Sequence, residues 1–383
     1  MRIGIVGASA SGLYTAVLLA QKHPDWRIEV FDRMEKAGKK LLATGNGHCN
    51  LLHNPIHPPL FHNSQFVSSL LRRHPMASLF SALESMGVAT MSKDELVYPL
   101  SYSAAAYVRQ LVTRAEKLGI VFRLGMTVMD MDDATIIAGK QRYPFDKVVF
   151  AFGGKSQENL GSDGSMFRVL AKQGYRVTKL VPSLCPLRCL EVGNSLFGVR
   201  HHAVLELWRK DGIVYQEDGE IQFKKGGVSG IAVMNASSEY EKGDWLRLDF
   251  FPNIAEGTLV EWLLKDEGYT YEQRLIRLVE TPFARFLLKR CNIEENAQIT
   301  RENCVKIAKT LKKMELSIEG LYGFDASQVT RGGIALEEVD EHLRSKTNPN
   351  HYFVGECLDV DGLCGGYNLG FALLSAMEVV DSL

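Results

Sequence analysis

The residues best suited to chemistry lie at the start of the chain, where a glycine-rich segment precedes an acid. Gly7 and Gly12 bracket four small residues, and Asp32 follows Gly12 by twenty positions. In a dinucleotide-binding turn the first glycine permits a tight bend and the last permits close helix–strand packing, while Ala10 and its neighbours offer helix amides to a pyrophosphate. The middle glycine of this fingerprint is replaced by Ser9. An acid at the distance of Asp32 accepts hydrogen bonds from ribose hydroxyls, which favours FAD or NAD over NADP.

The elements that must position these residues are predicted around them. Residues 2–6 form an apolar run before Gly7, which predicts a buried strand, and residues 11–21 favour a helix that ends before Pro24. Residues 27–32 predict a second strand. Strand, tight turn, helix and strand in this order are typical of a βαβ unit in a parallel sheet. We therefore predict an α/β fold that begins with a Rossmann-type nucleotide-binding domain.

The rest of the chain predicts further elements and an insertion. Helices are predicted over 64–90, 101–118 and 256–315, strands over 121–128, 147–152 and 351–354, and a closing helix from residue 368. Between residues 203 and 250, short alternating runs separated by Lys-Asp-Gly, Glu-Asp-Gly and Lys-Gly-Gly predict an antiparallel sheet or barrel. The predicted domains are a discontinuous nucleotide-binding domain (1–185 and 325–383), an inserted barrel (186–254 and 316–324) and a helical subdomain (255–315).

Composition and charge place the chain among soluble globular proteins. Its 383 residues are 46% hydrophobic and 23% charged, and the net charge of −1 argues against a general polyanion binder. The seven cysteines include no CxxC spacing, so we expect reduced thiols and no metal site. The apolar run from Gly4 to Ala20 carries three glycines and fits neither a signal peptide nor a membrane span. We therefore expect a cytoplasmic protein without a membrane segment.

Several longer stretches resemble one bacterial family. Residues 38–50 read GKKLLATGNGHCN, and residues 355–368 read GECLDVDGLCGGYN. They resemble the GRKLLxTGNGRCN and GExLDVDGxCGGYN stretches of the BaiN-like and aminoacetone-oxidase-like FAD flavoproteins. Shorter similarities at 153–164, 219–230 and 332–334 extend the resemblance over the whole chain.

The resemblance implies a fold and a set of FAD-binding residues. The fold would be a glutathione-reductase-like FAD domain with an inserted antiparallel barrel and a helical subdomain. An acid after the last strand holds the ribityl chain in such flavoproteins, which points to Glu356, with Asp361 as a second acid. A last helix that opens at Gly365 and Gly366 would stabilise the reduced flavin, and Val128 is carried over as a backbone contact to adenine. The other residues expected at the cofactor are Lys39, Lys40, Thr44, Gly45, Asn50, Gly153, Gly154, Gly355 and Asn368.

Two residues are candidates for catalysis. His48 stands where the family commonly has arginine, so it is either a proton donor near the flavin or a polar replacement without a catalytic role. Cys364 would also lie near the flavin and could donate a proton. Cys49 would lie there too, but a disulfide reductase needs a close-spaced cysteine pair, which Cys49 lacks. Packing is the expected role of these thiols.

The resemblance implies an FAD-dependent oxidoreductase that acts on a small molecule by hydride transfer through flavin N5. The reaction would be reduction of a conjugated C=C bond or oxidation of a small amine. The chain carries one dinucleotide fingerprint, so NADH or NADPH would bind transiently at the substrate face, or oxygen or a donor substrate would close the cycle.

Two other functions remain open. The family is also associated with reduction of uridine in ribosomal RNA, and the segment from Arg285 to Lys313 carries eight basic residues against three acids, a net charge of +5. Lys306, Lys309 and Lys313 are predicted to share a helical face, which would suit an RNA phosphate backbone or be a plain solvated surface. The other possibility is a redox-sensing flavoprotein that signals through a partner without turnover.

Overall fold

The fold is described over residues 1–265 and 268–383 of a computed structural model. Contacts divide this part of the chain into two compact units, Met1–Pro182 with Gln328–Leu383, and Ser183–Ser327. The first unit therefore contains both the glycine-rich start of the chain and its last helix. The three-part domain division, with breaks at residues 185 and 325, stays a prediction.

A five-stranded parallel sheet forms the centre of the first unit. Its strands follow the order His351–Phe353, Lys147–Phe150, Arg2–Val6, Arg27–Phe31 and Val121–Arg123. In the middle strand Ile3, Ile5 and Val6 are buried, as expected where a parallel strand is covered on both faces. The predicted Rossmann-type fold is confirmed.

Helices pack around this sheet. The α-helices described in the first unit are Ala10–Lys22, Lys39–Leu42, Ser64–Arg73, Met76–Ser85, Ala104–Lys117, Ser165–Lys172 and Tyr367–Ser382. Short 3₁₀ segments are Thr44–Gly47, Pro58–Leu60, Glu158–Leu160, Leu336–Glu338 and Gly355–Cys357. The first and last helices pack against each other. The segment predicted to be helical over 64–90 forms two helices rather than one continuous helix, because His74 precedes Pro75 and the residue before a proline is disfavoured in a helix.

Two three-stranded antiparallel sheets also belong to the first unit. In spatial order they are Leu52–His53, Leu96–Pro99 and Thr90–Lys93, and Val128–Asp132, Thr135–Ala138 and Gln141–Pro144. The strand predicted over 121–128 is divided between two sheets, because Gly125 turns the chain with a φ of 67°. Two further short strands, Val181–Ser183 and Val329–Arg331, lie where the chain passes between the units.

A buried carboxylate ties the last helix to its neighbours. Glu378 is 2% exposed, and its carboxylate is hydrogen-bonded to Arg73 Nε at 2.8 Å, His74 Nε2 at 2.9 Å and His342 Nδ1 at 2.8 Å. Burial by itself raises the pKa of Glu378, but the hydrogen bonds from Arg73, His342 and His74 outweigh it and hold the pKa below its ordinary value. The ionised carboxylate therefore stabilises this end of the fold.

A closed six-stranded antiparallel barrel forms the centre of the second unit. Around the barrel its strands are Leu187–Cys189, Gly227–Ser229, Gly212–Lys224, Arg200–Arg209, Trp245–Asp249 and Met314–Leu321. Alternate residues point inward, so that Leu205, Leu207, Leu246 and Leu248 are buried. The predicted antiparallel barrel is confirmed.

The second unit also contains helices, of which two carry the basic segment. Those described are Ile231–Glu239, Glu256–Leu264, Tyr271–Leu275, Thr281–Arg290 and Arg301–Lys312, with a 3₁₀ segment at Asn194–Leu196. Lys306 and Lys309 are exposed on the last of these α-helices, while Lys313 lies beyond its end. The helical face predicted for Lys306, Lys309 and Lys313 therefore contains only the first two.

The described residues contain neither a helix long and apolar enough to cross a membrane nor a cluster of His, Cys, Asp and Glu that could hold a metal ion. None of the seven cysteines, all of which lie in the described part of the chain, forms a disulfide; six are buried and Cys364 is partly exposed. Burial raises the pKa of Cys49 to about 11. Cys49 therefore stays protonated near neutral pH, in keeping with a packing role.

Candidate functional site

An open pocket lies at the carboxyl ends of the first two strands. Gly7, Asp32 and Val128 line it, together with Phe152 and Met166. In open α/β sheets, ligands bind outside the carboxyl ends of the strands. The pocket brings together three of the residues predicted for the ADP half of the cofactor.

Close backbone contacts require glycine at positions 7 and 12. Gly7 has a φ of 114°, and a Cβ there would lie 2.2 Å from the carbonyl oxygen of Ala151. A Cβ on Gly12 would lie 1.9 Å from the carbonyl oxygen of Gly7. The helix begins at Ala10 without a side-chain cap from Ser9, which leaves its first amides without a side-chain acceptor. Such amides, at the positive end of the helix dipole, suit a pyrophosphate.

Asp32 joins the end of the second strand to the glycine turn. Its Oδ2 accepts a hydrogen bond from the Ala8 amide at 2.7 Å, and its Oδ1 accepts one from the Met34 amide at 2.8 Å. Burial raises the pKa of Asp32, although the Met34 and Ala8 amides act against this effect. A carboxylate oxygen has more than one acceptor position, so ribose hydroxyls can bind beside these amides.

Glu356 is held from two sides. Its Oε2 accepts a hydrogen bond from Lys40 Nζ at 2.8 Å, and its Oε1 accepts one from the Thr330 amide at 2.9 Å. Gly154 lies against the same carboxylate, because a Cβ there would be 2.6 Å from Oε1 of Glu356. The carboxylate is therefore held by donors from two separate segments, and a third segment packs closely against it.

Other predicted residues shape the backbone around Glu356. Gly153 and Gly355 have φ values of 78° and 72°, and a Cβ on Gly355 would lie 2.6 Å from the Ser11 hydroxyl oxygen. Gly355 thus allows the end of the last strand to approach the first helix. Lys39 Nζ donates to the Asn159 carbonyl oxygen at 2.9 Å.

The loop from Thr44 to Asn50 meets the start of the last helix. A Cβ on Gly366 would lie 2.4 Å from the carbonyl carbon of Leu52 and 2.8 Å from the side-chain amide of Asn50. With its nitrogen turned toward them, that amide donates to the carbonyl oxygens of Leu52 at 3.0 Å and Val97 at 3.2 Å. Thus the two motifs that carry the family resemblance are adjacent in space.

Turns on either side of this junction use further predicted residues. Gly45 and Gly365 have φ values of 54° and 116°. The side-chain amide of Asn368 donates to the Gly362 carbonyl oxygen at 2.7 Å and accepts from the Gly362 amide at 2.9 Å. The Thr44 hydroxyl donates to the Leu41 carbonyl oxygen at 2.6 Å. Their contacts with FAD stay predictions.

Asp361, the second acid expected near the ribityl chain, faces a cation of the protein. It is 2% exposed, and its Oδ1 lies 3.2 Å from Arg331 Nε. Its charge is therefore balanced inside the fold.

The two catalytic candidates lie on the two segments that meet at Gly366. The His48 ring stacks on the Tyr102 ring with centroids 4.0 Å apart, and its Nδ1 lies 3.0 Å from the Tyr102 carbonyl oxygen. Cys364 is partly exposed, and its Sγ lies 3.8 Å from Gln328 Oε1. Their catalytic roles stay predictions.

The sequence as a whole identifies the family. It matches the family described as HI0933-like protein Rossmann domain over residues 1–381. The chain belongs to the HI0933-like family. This finding confirms the resemblance drawn from the two long motifs.

Two relatives of this HI0933-like protein match nearly its whole length. A 3-dehydro-bile acid delta(4,6)-reductase from Clostridium scindens is 30% identical, covering 97% of this chain and 96% of the relative. A ribosomal RNA dihydrouridine synthase from Escherichia coli is 26% identical, covering 99% and 97%.

Solved structures share the fold. A 3-ketosteroid delta1-dehydrogenase from Sterolibacterium denitrificans has a TM-score of 0.55 at 10% identity, covering 99% of this chain and 98% of its own. A 3-ketosteroid-delta4-(5alpha)-dehydrogenase from Rhodococcus jostii RHA1 has a TM-score of 0.52 at 13% identity, covering 99% and 96%. At these identities the likeness concerns architecture only.

The residues of this HI0933-like protein fit FAD. The pocket beside Asp32 suits the adenosine, the uncapped helix start at Ala10 suits the pyrophosphate, and the carboxylate of Glu356 has acceptor positions for ribityl hydroxyls. Together with the family, these features make the protein an FAD-dependent oxidoreductase.

Three residues at the site were not predicted from the sequence. Thr330 fixes Glu356 and stands just before the Gly332-Gly333 pair, so the similarity there could have indicated it. Asp163 lines the pocket beside Asp32 and pairs with Arg33, and it lies within the similar stretch 153–164. Tyr102 belongs to no motif.

Proposed function

We propose that this flavoprotein is an NADH- or NADPH-dependent reductase of a conjugated C=C bond in a hydrophobic carbonyl compound. The relative at 30% identity over 97% of the chain is named as a delta(4,6)-reductase of a 3-dehydro-bile acid. With one dinucleotide fingerprint in the chain, the nicotinamide would bind transiently at the substrate face.

The observation that carries the proposal is the place of His48, in the loop that meets Gly366 at the start of the last helix. Bound FAD supplies a hydride in such a reduction. The other hydrogen added is a proton, and an imidazole donates one near neutral pH. His48 is half-buried, so it can face a substrate and still exchange its proton with solvent.

Anaerobic stopped-flow absorbance tests the two half-reactions separately. We expect NADH or NADPH to bleach the visible band of the FAD-loaded protein and 4-androstene-3,17-dione, a conjugated ketone, to restore it. The saturated ketone 5α-androstane-3,17-dione is the control and should leave the band bleached. Bleaching by a small amine, with no response to either nicotinamide, would instead support an amine oxidase. Failure of every small donor and acceptor would favour the redox sensor.

Two variants distinguish the candidate proton donors. His48→Gln should slow restoration of the band by about 10²-fold, the usual scale of general acid catalysis, and leave bleaching unchanged. Cys364→Ser is the matched variant from the adjoining motif and should behave as wild type. The opposite result would assign the proton to Cys364.

Reduction of uridine in ribosomal RNA is the second candidate. Two relatives, at 26% and 24% identity, are named ribosomal RNA dihydrouridine synthase, and Lys306 and Lys309 are exposed on one helix. Other cations of the basic segment are already paired, namely Arg285 with Glu272, Arg301 with Glu261 and Lys312 with Asp249. Binding to a ribosomal RNA fragment should weaken with salt and be lost on Lys306→Glu with Lys309→Glu if this function holds. Binding that neither weakens with salt nor changes on these two substitutions would exclude this function.

A further inference from the structure

One residue from another segment, Tyr102, makes two different contacts with the His48 ring. The two rings stack, with centroids 4.0 Å apart and 15° between their planes. The ring nitrogen Nδ1 of His48 lies 3.0 Å from the backbone carbonyl oxygen of Tyr102. Stacking fixes the plane of the imidazole, and the hydrogen bond fixes its rotation within that plane.

Tyr102 is held in a backbone conformation that tyrosine rarely adopts. Its φ is 50°, in the left-handed region. The Tyr102 amide donates to the Pro99 carbonyl oxygen at 2.8 Å, and Tyr98 packs edge-on against its ring at a centroid distance of 5.0 Å. The strand that ends at Pro99, Leu96–Pro99, pairs with Leu52–His53. The turn that carries Tyr102 is therefore anchored to the strand that follows the His48 loop.

The His48 loop has an equally unusual backbone. Asn46 and Cys49 have φ values of 51° and 58°, and the glycines at 45 and 47 are left-handed as well. The His48 amide donates to the Gly45 carbonyl oxygen at 3.0 Å and closes the loop on itself. Left-handed residues other than glycine cluster at functional sites, where the surrounding structure maintains the strain. Two turns with left-handed residues, the His48 loop itself and the turn that carries Tyr102, therefore hold the imidazole in place.

The hydrogen bond to Tyr102 decides which nitrogen of His48 exchanges a proton. A carbonyl oxygen can only accept, so the shared hydrogen lies on Nδ1. Nε2 has no hydrogen-bond partner within the described part of the chain. In the neutral ring Nε2 is therefore the unprotonated nitrogen. In the charged ring Nε2 carries the proton that can be transferred.

We infer that Tyr102 is a positioning residue that makes Nε2 of His48 the proton donor to the substrate. The inference rests on the proposed reduction of a conjugated C=C bond. In that reaction the π bond breaks, one new C–H bond forms from the hydride and the other from the proton on Nε2, and both electrons derive from NADH or NADPH. The imidazolium becomes the neutral ring protonated at Nδ1, which solvent reprotonates at Nε2.

The tautomer can be measured without any substrate. Long-range ¹⁵N–¹H spectra of the FAD-loaded protein, labelled in its histidines and recorded where the ring is neutral, distinguish a proton on Nδ1 from one on Nε2. The His48 signals are those that His48→Gln removes. Wild type and Tyr102→Phe, which keeps the ring and the carbonyl, should show the proton on Nδ1. Tyr102→Gly keeps the left-handed backbone and the carbonyl but removes the stacking face. The imidazole can then turn away from the carbonyl, so this variant should also populate the tautomer protonated at Nε2.

The proton transfer itself is measured by mixing the reduced protein with 4-androstene-3,17-dione. Tyr102→Gly and Tyr102→Asn both tolerate a left-handed φ, so that either serves if the other folds poorly. Each should slow reoxidation by about 10²-fold, the cost of a misplaced catalytic group, and raise the solvent deuterium isotope effect. Tyr102→Phe should match wild type, and all three should be reduced by the nicotinamide at the wild-type rate.

A wild-type protein with the proton of neutral His48 on Nε2 would overturn the inference. So would a Tyr102→Gly variant that keeps both the tautomer and the reoxidation rate of wild type. If the ketone does not reoxidise the wild-type protein, the proposed reductase function is wrong. The role of Nε2 as proton donor to that substrate is then wrong as well. The tautomer comparison would then still decide whether Tyr102 positions the ring.

Discussion

Replacing Asp32 by asparagine tests whether the pocket at the first two strands binds the adenosine half of FAD. Each carboxylate oxygen accepts one backbone amide, from Ala8 at 2.7 Å and from Met34 at 2.8 Å, and keeps room for a ribose hydroxyl. Asparagine retains one acceptor oxygen and removes the charge. Because a hydrogen bond to a charged group contributes about 1.5–3 kcal/mol, we expect a loss of about 3 kcal/mol, or about 10²-fold in Kd.

Calorimetric titration of the FAD-free protein with ADP isolates this half of the cofactor. ADP and FAD should lose affinity for Asp32→Asn by similar factors, since the flavin half is untouched. Asp163→Asn is the matched control, because Asp163 lines the same pocket but pairs with Arg33 and accepts from the Ser165 amide. We expect a smaller loss there. ADP binding to Asp32→Asn at wild-type strength, or equal losses in both variants, would refute the reasoning.

Three further substitutions test the glycine turn, the contacts of Glu378 and the contacts of Glu356. Gly12→Ala places a Cβ 1.9 Å from the Gly7 carbonyl oxygen, so thermal unfolding should show a loss of at least about 1–3 kcal/mol and the purified protein should lack flavin absorbance. Glu378→Gln should cost about 3 kcal/mol in denaturant unfolding at pH 7. Because the folded pKa of Glu378 is depressed, its contribution is complete above the ordinary value of 4.5 and disappears as the pH falls through the folded pKa, so the two proteins should converge in acid. Lys40→Met should weaken FAD binding by about tenfold, because Glu356 loses one of its two donors, and a calorimetric titration with FAD measures this.

The glycine-rich turn was predictable because its determinants are local. A strand, a tight turn and a helix N-terminus occupy consecutive residues, and the distances at Gly7 and Gly12 are the reason that these positions need glycine. The barrel was predictable for a related reason, since alternation and turn residues are also read over short windows. The division of the helix over 64–90 was within reach too, because Pro75 stands inside it.

The partners of the site residues were not predictable in this way. Tyr102 lies 54 positions from His48, and the contact depends on a left-handed turn that no residue type around position 102 requires. The partners of Glu378 are similarly remote, since Arg73 and His74 end a helix more than three hundred positions earlier. Periodicity predicts which face of an element is buried, but not which polar groups meet there.

The two acids expected at the ribityl chain, Asp361 and Glu356, differ in their hydrogen-bond partners and in their exposure. Arg331 approaches both carboxylate oxygens of Asp361, at 3.2 and 3.4 Å, and Asp361 is 2% exposed, so little of its surface remains for a ligand. Glu356 receives one donor on each oxygen and its side chain is 18% exposed. Each oxygen of Glu356 keeps an acceptor position, and Lys40 with Thr330 holds the carboxylate in place before FAD arrives. This difference favours Glu356 as the ribityl acceptor and leaves Asp361 to fix Arg331.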